Sequence, residues 1–81
     1  MDYTARLDTL TPLILNVKDW KNRNDMLKIH RNMRVLADKI SKEAVNCRRI
    51  HAPTATFTAL DTEFNTQFSE LEQWLTFALL L

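Results

Sequence analysis

Cys47 and His51 stand four residues apart, a spacing that puts a thiolate and an imidazole on one face of a helix within reach of one metal ion. Zinc needs four ligands, and the other histidine, His30, lies about five turns from His51 along what reads as the same helix. The 81 residues hold no second cysteine. No metal and no cofactor is therefore expected, and Cys47 reads as a packed core residue. Catalysis would call for a nucleophile beside a base, converging carboxylates or a phosphate-cradling loop. None is legible, and the Ser and Thr residues fall at helix caps or on polar faces. The expectation is a chain that is not an enzyme.

Two other groups of residues could bind without doing chemistry. Lys28, Arg31, Lys39, Lys42 and Arg49 fall within about 80 degrees of one another on a helical wheel of 100 degrees per residue. Such a row could follow a nucleic-acid backbone or an acidic partner, since phosphate binding is largely charge neutralisation. A solvated outer face explains it as well, because the whole chain carries only +1 and no aromatic residues interleave with the cations. The second group is the run from Trp74 to Leu81. A helix that buries one face should not also carry Phe77 and Leu80 on the other side. Large apolar patches on a monomer mark interaction surfaces. Phe68, Leu71, Trp74, Leu75, Phe77, Ala78 and Leu80 are accordingly the expected anchors for a protein partner or a second copy.

These groups need elements to hold them. Met26, Ile29, Met33, Leu36, Ile40, Ala44 and Cys47 recur every three or four residues, which predicts one long helix over about 24–51. Asn24 or Asp25 could cap it, Pro53 stops it, and its length would be roughly 40 Å. Phe57, Leu60, Phe64, Phe68, Leu71, Leu75 and Ala78 repeat the spacing and predict a helix over 56–80, with Thr58 and Asp61 as a capping box. The connection from Ala52 to Ala55 is too short for anything but an antiparallel hairpin. Aligning its arms sets Arg34 beside Glu72 and Arg48 beside Asp61, pairs worth about 0–1 kcal/mol each.

Tyr3, Leu7, Leu10, Ile14 and Val17 share a face with Trp20 at its edge, and Trp20 reads as core. Thr11-Pro12 interrupts that run, so a short helix over 12–21 is expected, since proline suits the first helical position, and Asp2 to Leu10 reads as a separate short helix or a kinked extension of it. Lys21 to Asp25 then reads as a connection. The alternative is one continuous helix of about 40 residues through both segments.

The fold expected is all-α, a single domain over 1–81: a three-helix up-down-up bundle made of a long hairpin and a shorter first helix. The absence of glycine supports it, because tight hairpins between strands and phosphate loops need cheap positive φ angles. So small a domain buries only ~60–65% of its unfolded surface, and one cysteine cannot form an intrachain disulfide. Self-association is expected to supplement the core. Residues 18–51 carry +6 and residues 52–81 carry −4, so a basic middle faces an acidic last segment. No secretory signal or bilayer span is read in the chain, and a cytoplasmic setting is the expectation. The functional expectation is a helical interaction module, such as an adaptor, an assembly chaperone or a small regulator.

Overall fold

In the computed structural model, which describes residues 2–80, three helices follow one another: α1 (Tyr3–Leu15), α2 (Trp20–Ile50) and α3 (Ala55–Leu80). They form the expected all-α up-down-up bundle, and among the described residues there is no strand. The long axis measures 47 Å against 18 and 15 Å across. That length matches the 31 residues of α2 at 1.5 Å each, so one helix spans the whole molecule.

The hairpin closes without glycine. His51 takes the left-handed conformation at φ 55°, the only positive φ among the described residues. Ala52 N–H then bonds back to the Cys47 carbonyl at 3.2 Å, which satisfies an end carbonyl of α2. The cap of α3 is Thr54, not the expected Thr58: the Thr54 hydroxyl oxygen accepts from Phe57 N–H at 3.0 Å. Thr58 instead sits inside α3, its hydroxyl donating back to the Thr54 carbonyl at 3.2 Å.

The first third of the chain departs most from expectation. α1 begins at Tyr3, with Asp2 as its cap, and runs through Pro12. Pro12 has no N–H for the Asp8 carbonyl, a defect that usually costs ~3 kcal/mol inside a helix. Leu7, Leu10 and Ile14 are all buried, and only an unbroken helix keeps the three in phase. Their burial, worth about 1.5–3 kcal/mol each, outweighs the proline defect. The chain breaks at 16–19, five residues before the expected connection at 21–25, where Asn16 and Val17 N–H groups close tight i→i−3 bonds. Asp19 caps α2 by accepting from Lys21 N–H at 3.0 Å. Lys21 to Asp25 are therefore helical, since polar residues within a helix cost only tenths of a kcal/mol each. A single 40-residue helix is likewise excluded.

This break also overturns the reading of Trp20. As the first residue of α2 it follows that helix's phase, which points away from the Met26 and Met33 stripe, and it is 66% exposed. Val17 remains buried, but from the connection rather than from a helix.

The core collects Leu7, Leu10 and Ile14 from α1, Met26, Met33 and Ile40 from α2, and Phe64, Phe68, Leu71 and Leu75 from α3. α1 spans only about 20 Å at 1.5 Å per residue, and its Tyr3 end reaches Asp61 and Phe64. Beyond that level, toward the turn, the rod is two helices thick.

Candidate interaction surfaces

Cys47 belongs to the turn. Its sulfur accepts from Thr54 N–H at 3.5 Å and lies 3.8 Å from the Thr54 hydroxyl, which donates to Glu43 at 2.7 Å. Asn46 donates to the other Glu43 oxygen at 3.2 Å. The thiol is therefore half-buried in a polar clasp that ties the end of α2 to the cap of α3, and His51 is exposed on the outside of the turn. Among the described residues no three His, Cys, Asp or Glu side chains gather as a metal site.

The two expected charge pairs across the hairpin do not form. Arg34 meets Asp8 of α1 at 2.5 Å, and Asp61 accepts from the Tyr3 hydroxyl. Arg34 and Asp61 lie on the flank that α1 covers, so the first helix supplies the partners that a two-helix alignment assigns elsewhere. Arg6 completes that flank: its guanidinium lies 5.2 Å from the Phe64 ring centre and 4.6 Å from that of Phe68, and it donates to Asn65 at 2.9 Å. Tyr3 meets Phe64 edge to face at 4.9 Å.

Burial, followed by the hydrogen bond to Asp61 and that residue's negative charge, pushes the Tyr3 phenol up from 10.0 to about 12. A raised folded-state value means that the folded protein favours the neutral phenol, so this contribution is complete below pH 10 and disappears as pH rises through about 12. Urea midpoints measured from pH 9 upward should fall more steeply for the native chain than for Tyr3→Phe. Parallel curves would mean that the phenol makes no contribution in the folded state.

The expected partner anchors divide. Phe68, Leu71 and Leu75 are buried in the molecule's own core and are not available to a partner. Trp74 and Ala78 are half-buried against that core, while Phe77 and Leu80 are 73% and 80% exposed. The division follows helical phase: the first three share the face of Phe64, and Phe77 and Leu80 lie opposite it. Six large exposed apolar residues gather at the end of the rod away from the turn: Leu13 and Leu15 at the end of α1, Trp20 at the start of α2, and Phe77, Leu79 and Leu80 at the end of α3. Leu13 and Leu79 border one small groove of about 120 Å³ there, between α1 and α3. The sequence reading missed Leu13, Leu15 and Trp20 as members of this patch, because it placed the chain break five residues too late, whereas Leu79 lay within its apolar run from Trp74 to Leu81 without being named an anchor.

Lys28, Arg31, Lys39, Lys42 and Arg49 are all exposed along the outside of α2. Only Lys42 of these has an ion-pair partner among the described residues, Asp38 one turn earlier at 3.1 Å. α2 carries nine Lys or Arg against three Asp or Glu, and α3 carries four acidic residues and no basic one. Among the described residues no ion pair joins the two helices. The charge asymmetry is thus left standing on the surface.

The sequence reading passed over His30 except as a distant metal ligand. It is buried, 5% exposed, and its Nε2 lies 2.8 Å from the Leu7 carbonyl and 3.4 Å from the Thr11 hydroxyl. A carbonyl oxygen only accepts, so Nε2 carries the proton of this bond. Its place four residues after Met26 and three before Met33 is the signal that could have found it.

The fold defines a three-helix bundle with an elongated hairpin. No family model matches the chain, and no curated protein and no solved structure matches it either. No helix among the described residues is long and apolar enough to cross a membrane.

Proposed function

We propose that this protein is a non-enzymatic interaction module that seats an apolar partner surface at the open end of its bundle, in the manner of an adaptor, assembly chaperone or small regulator. The observation that carries this reading is the gathering of Leu13, Leu15, Trp20, Phe77, Leu79 and Leu80 at one end of the rod. Interface energy concentrates in large side chains that become fully desolvated, and tryptophan is prominent among them. The polar clasp at the opposite end leaves the two long helices rigidly joined, so the patch is presented on a preformed scaffold.

Phe77→Asp combined with Leu80→Asp should abolish capture of partners from the native cell while leaving the helical circular dichroism unchanged, since both side chains are exposed. Equal capture by the double variant would reject the reading.

The exposure of the five cations on α2 supports a second reading, contact with a nucleic-acid backbone. Under it, Arg31→Glu with Lys42→Glu should remove binding to a duplex probe, and the native chain's affinity should fall steeply as salt rises. Partner capture that tolerates both salt and these substitutions favours the apolar patch.

A further inference from the structure

The side of the hairpin turned away from α1 carries a groove along the α2 and α3 seam. One part, of about 260 Å³, is bordered by Ile29, Gln67, Glu70, Leu71 and Trp74. Gln67 also borders the next part, of about 330 Å³, which Leu36, Lys39, Leu60 and Glu63 help to line. Helical phase sets these residues on the flank opposite His30 and Arg34 of α2, and opposite Asp61 and Asn65 of α3, which face α1. Ile29, Leu60 and Trp74 are half-buried in its floor. Lys39 borders it on the α2 side and Glu63 and Glu70 on the α3 side, and helical phase puts Lys28 on the same flank of α2 as Lys39; all four are exposed and none is in an ion pair among the described residues.

We propose that this face binds a second copy of the same chain, through a two-fold axis running parallel to the helices. The charges select both occupant and axis. Two copies laid face to face can be related by an axis across the groove or by one along it. The axis across the groove sets α2 against α2 and α3 against α3, opposing cation to cation and carboxylate to carboxylate. The axis along the groove sets α2 against the other copy's α3, so every basic edge meets an acidic one. It also keeps each residue at its own height on the rod. Lys39 and Glu63 border one stretch of groove, and Lys28 and Glu70 lie at the level of the next, so each lysine meets the other copy's glutamate without any sliding. The product is a four-helix bundle in which each α2 lies antiparallel to both neighbouring α3 helices.

The size of the face suits this. The molecule is 47 Å long and 18 Å wide, so one whole side of the rod, with the groove at its middle, has a footprint of roughly 800 Å², about what each partner contributes to a standard protein interface. An isologous interface needs one patch complementary to itself, and an apolar floor between edges of opposite charge meets that need.

Sedimentation of the full chain over a concentration series tests the proposal, together with two charge-reversed chains: Lys28→Glu with Lys39→Glu, and Glu63→Lys with Glu70→Lys. The native chain should dimerise. Each reversed chain alone should associate roughly a hundredfold more weakly or worse, since symmetry repeats every like-charge clash twice. Mixed in equal amounts, the two reversed chains should form a one-to-one dimer. All four positions are exposed, and circular dichroism verifies that both chains fold. A native chain that stays monomeric throughout, or a reversed chain that dimerises as tightly as the native one, overturns the proposal. The axis has its own test. In a Cys47→Ser background, a Lys39→Cys chain should form disulfides with a Glu63→Cys chain; self-linking of Lys39→Cys alone would place the axis across the groove and overturn the assignment. This inference does not depend on the end patch: the reversed chains keep Phe77 and Leu80, so partner capture can succeed or fail independently of dimerisation.

Discussion

Phe64→Ala is expected to remove about half of the stability of the bundle, and in the weaker part of the expected range to leave the chain largely unfolded at 25 °C. Phe64 is fully buried and lies where α1 docks on the hairpin. Truncating a buried phenylalanine costs about 3–5 kcal/mol through lost transfer energy and the cavity left behind. At about 0.05–0.15 kcal/mol per residue, 81 residues have roughly 4–12 kcal/mol in all. The loss is also shared between elements, because the ring supports Tyr3 edge to face at 4.9 Å and lies beneath the Arg6 guanidinium. The docking of α1 and the integrity of α3 should therefore fail together in a single transition. Urea denaturation followed by circular dichroism is the measurement, with Thr66→Ala on the exposed face of α3 as a control expected within about 0.5 kcal/mol of the native chain. A Phe64→Ala loss no larger than the control's would mean that α1 is not docked where this ring lies.

The long helices were legible because periodicity is a repeated signal. Seven apolar positions from Met26 to Cys47, and seven more from Phe57 to Ala78, fix a face even when single residues mislead. Helix ends rest on one or two residues, and there the readings diverged. Thr11-Pro12 carries a strong local preference for a helix start, yet tertiary burial of Leu7, Leu10 and Ile14 outweighs it. Asn24 and Asp25 are good caps in isolation, but Asp19 stands where the chain actually reverses.

The misreading of Trp20 followed from that one misplaced break. With the connection at 21–25, Trp20 extends the first helix's apolar face; with it at 16–19, Trp20 opens α2 out of phase with the core. The Arg34 and Asp61 pairings failed for a related reason. A pairwise alignment of two helices cannot know which flank a third will occupy, and that flank is where α1 lies. The excess of apolar residues near the end of α3 was legible, and its division into core and surface follows helical phase, with Phe68, Leu71 and Leu75 on the face of Phe64 and Phe77 and Leu80 opposite.

His30 offers the second large effect, and a way to separate polar from packing contributions at the α1 and α2 contact. Its imidazole fills core volume beside Met26 and Met33 while its Nε2 donates to the Leu7 carbonyl. His30→Ala should cost about 2–4 kcal/mol, as a buried side chain is lost and a cavity opens. His30→Leu restores volume but no donor, and should cost about 1–2 kcal/mol for the missing bond and the desolvated groups left behind. His30→Gln places an amide nitrogen at a reach close to that of Nε2 and should fall nearest the native chain. The order Gln, Leu, Ala in rising cost is what a working hydrogen bond requires; Leu equal to or better than Gln would show that apolar packing alone holds the site. The bond has a structural reason to count for more than an average one. α1 already lacks one hydrogen bond of its own at Pro12, and Leu7 and Thr11, the groups nearest His30 Nε2, bracket the Asp8 carbonyl that the proline leaves without its donor. An α2 side chain thus reaches α1 at its weakest turn. The Asp8 carboxylate beside that turn meets Arg34, one helical turn further along α2. Combining His30→Leu with Arg34→Ala should therefore cost more than the two single losses added together, because either tie alone can still hold the turn in place.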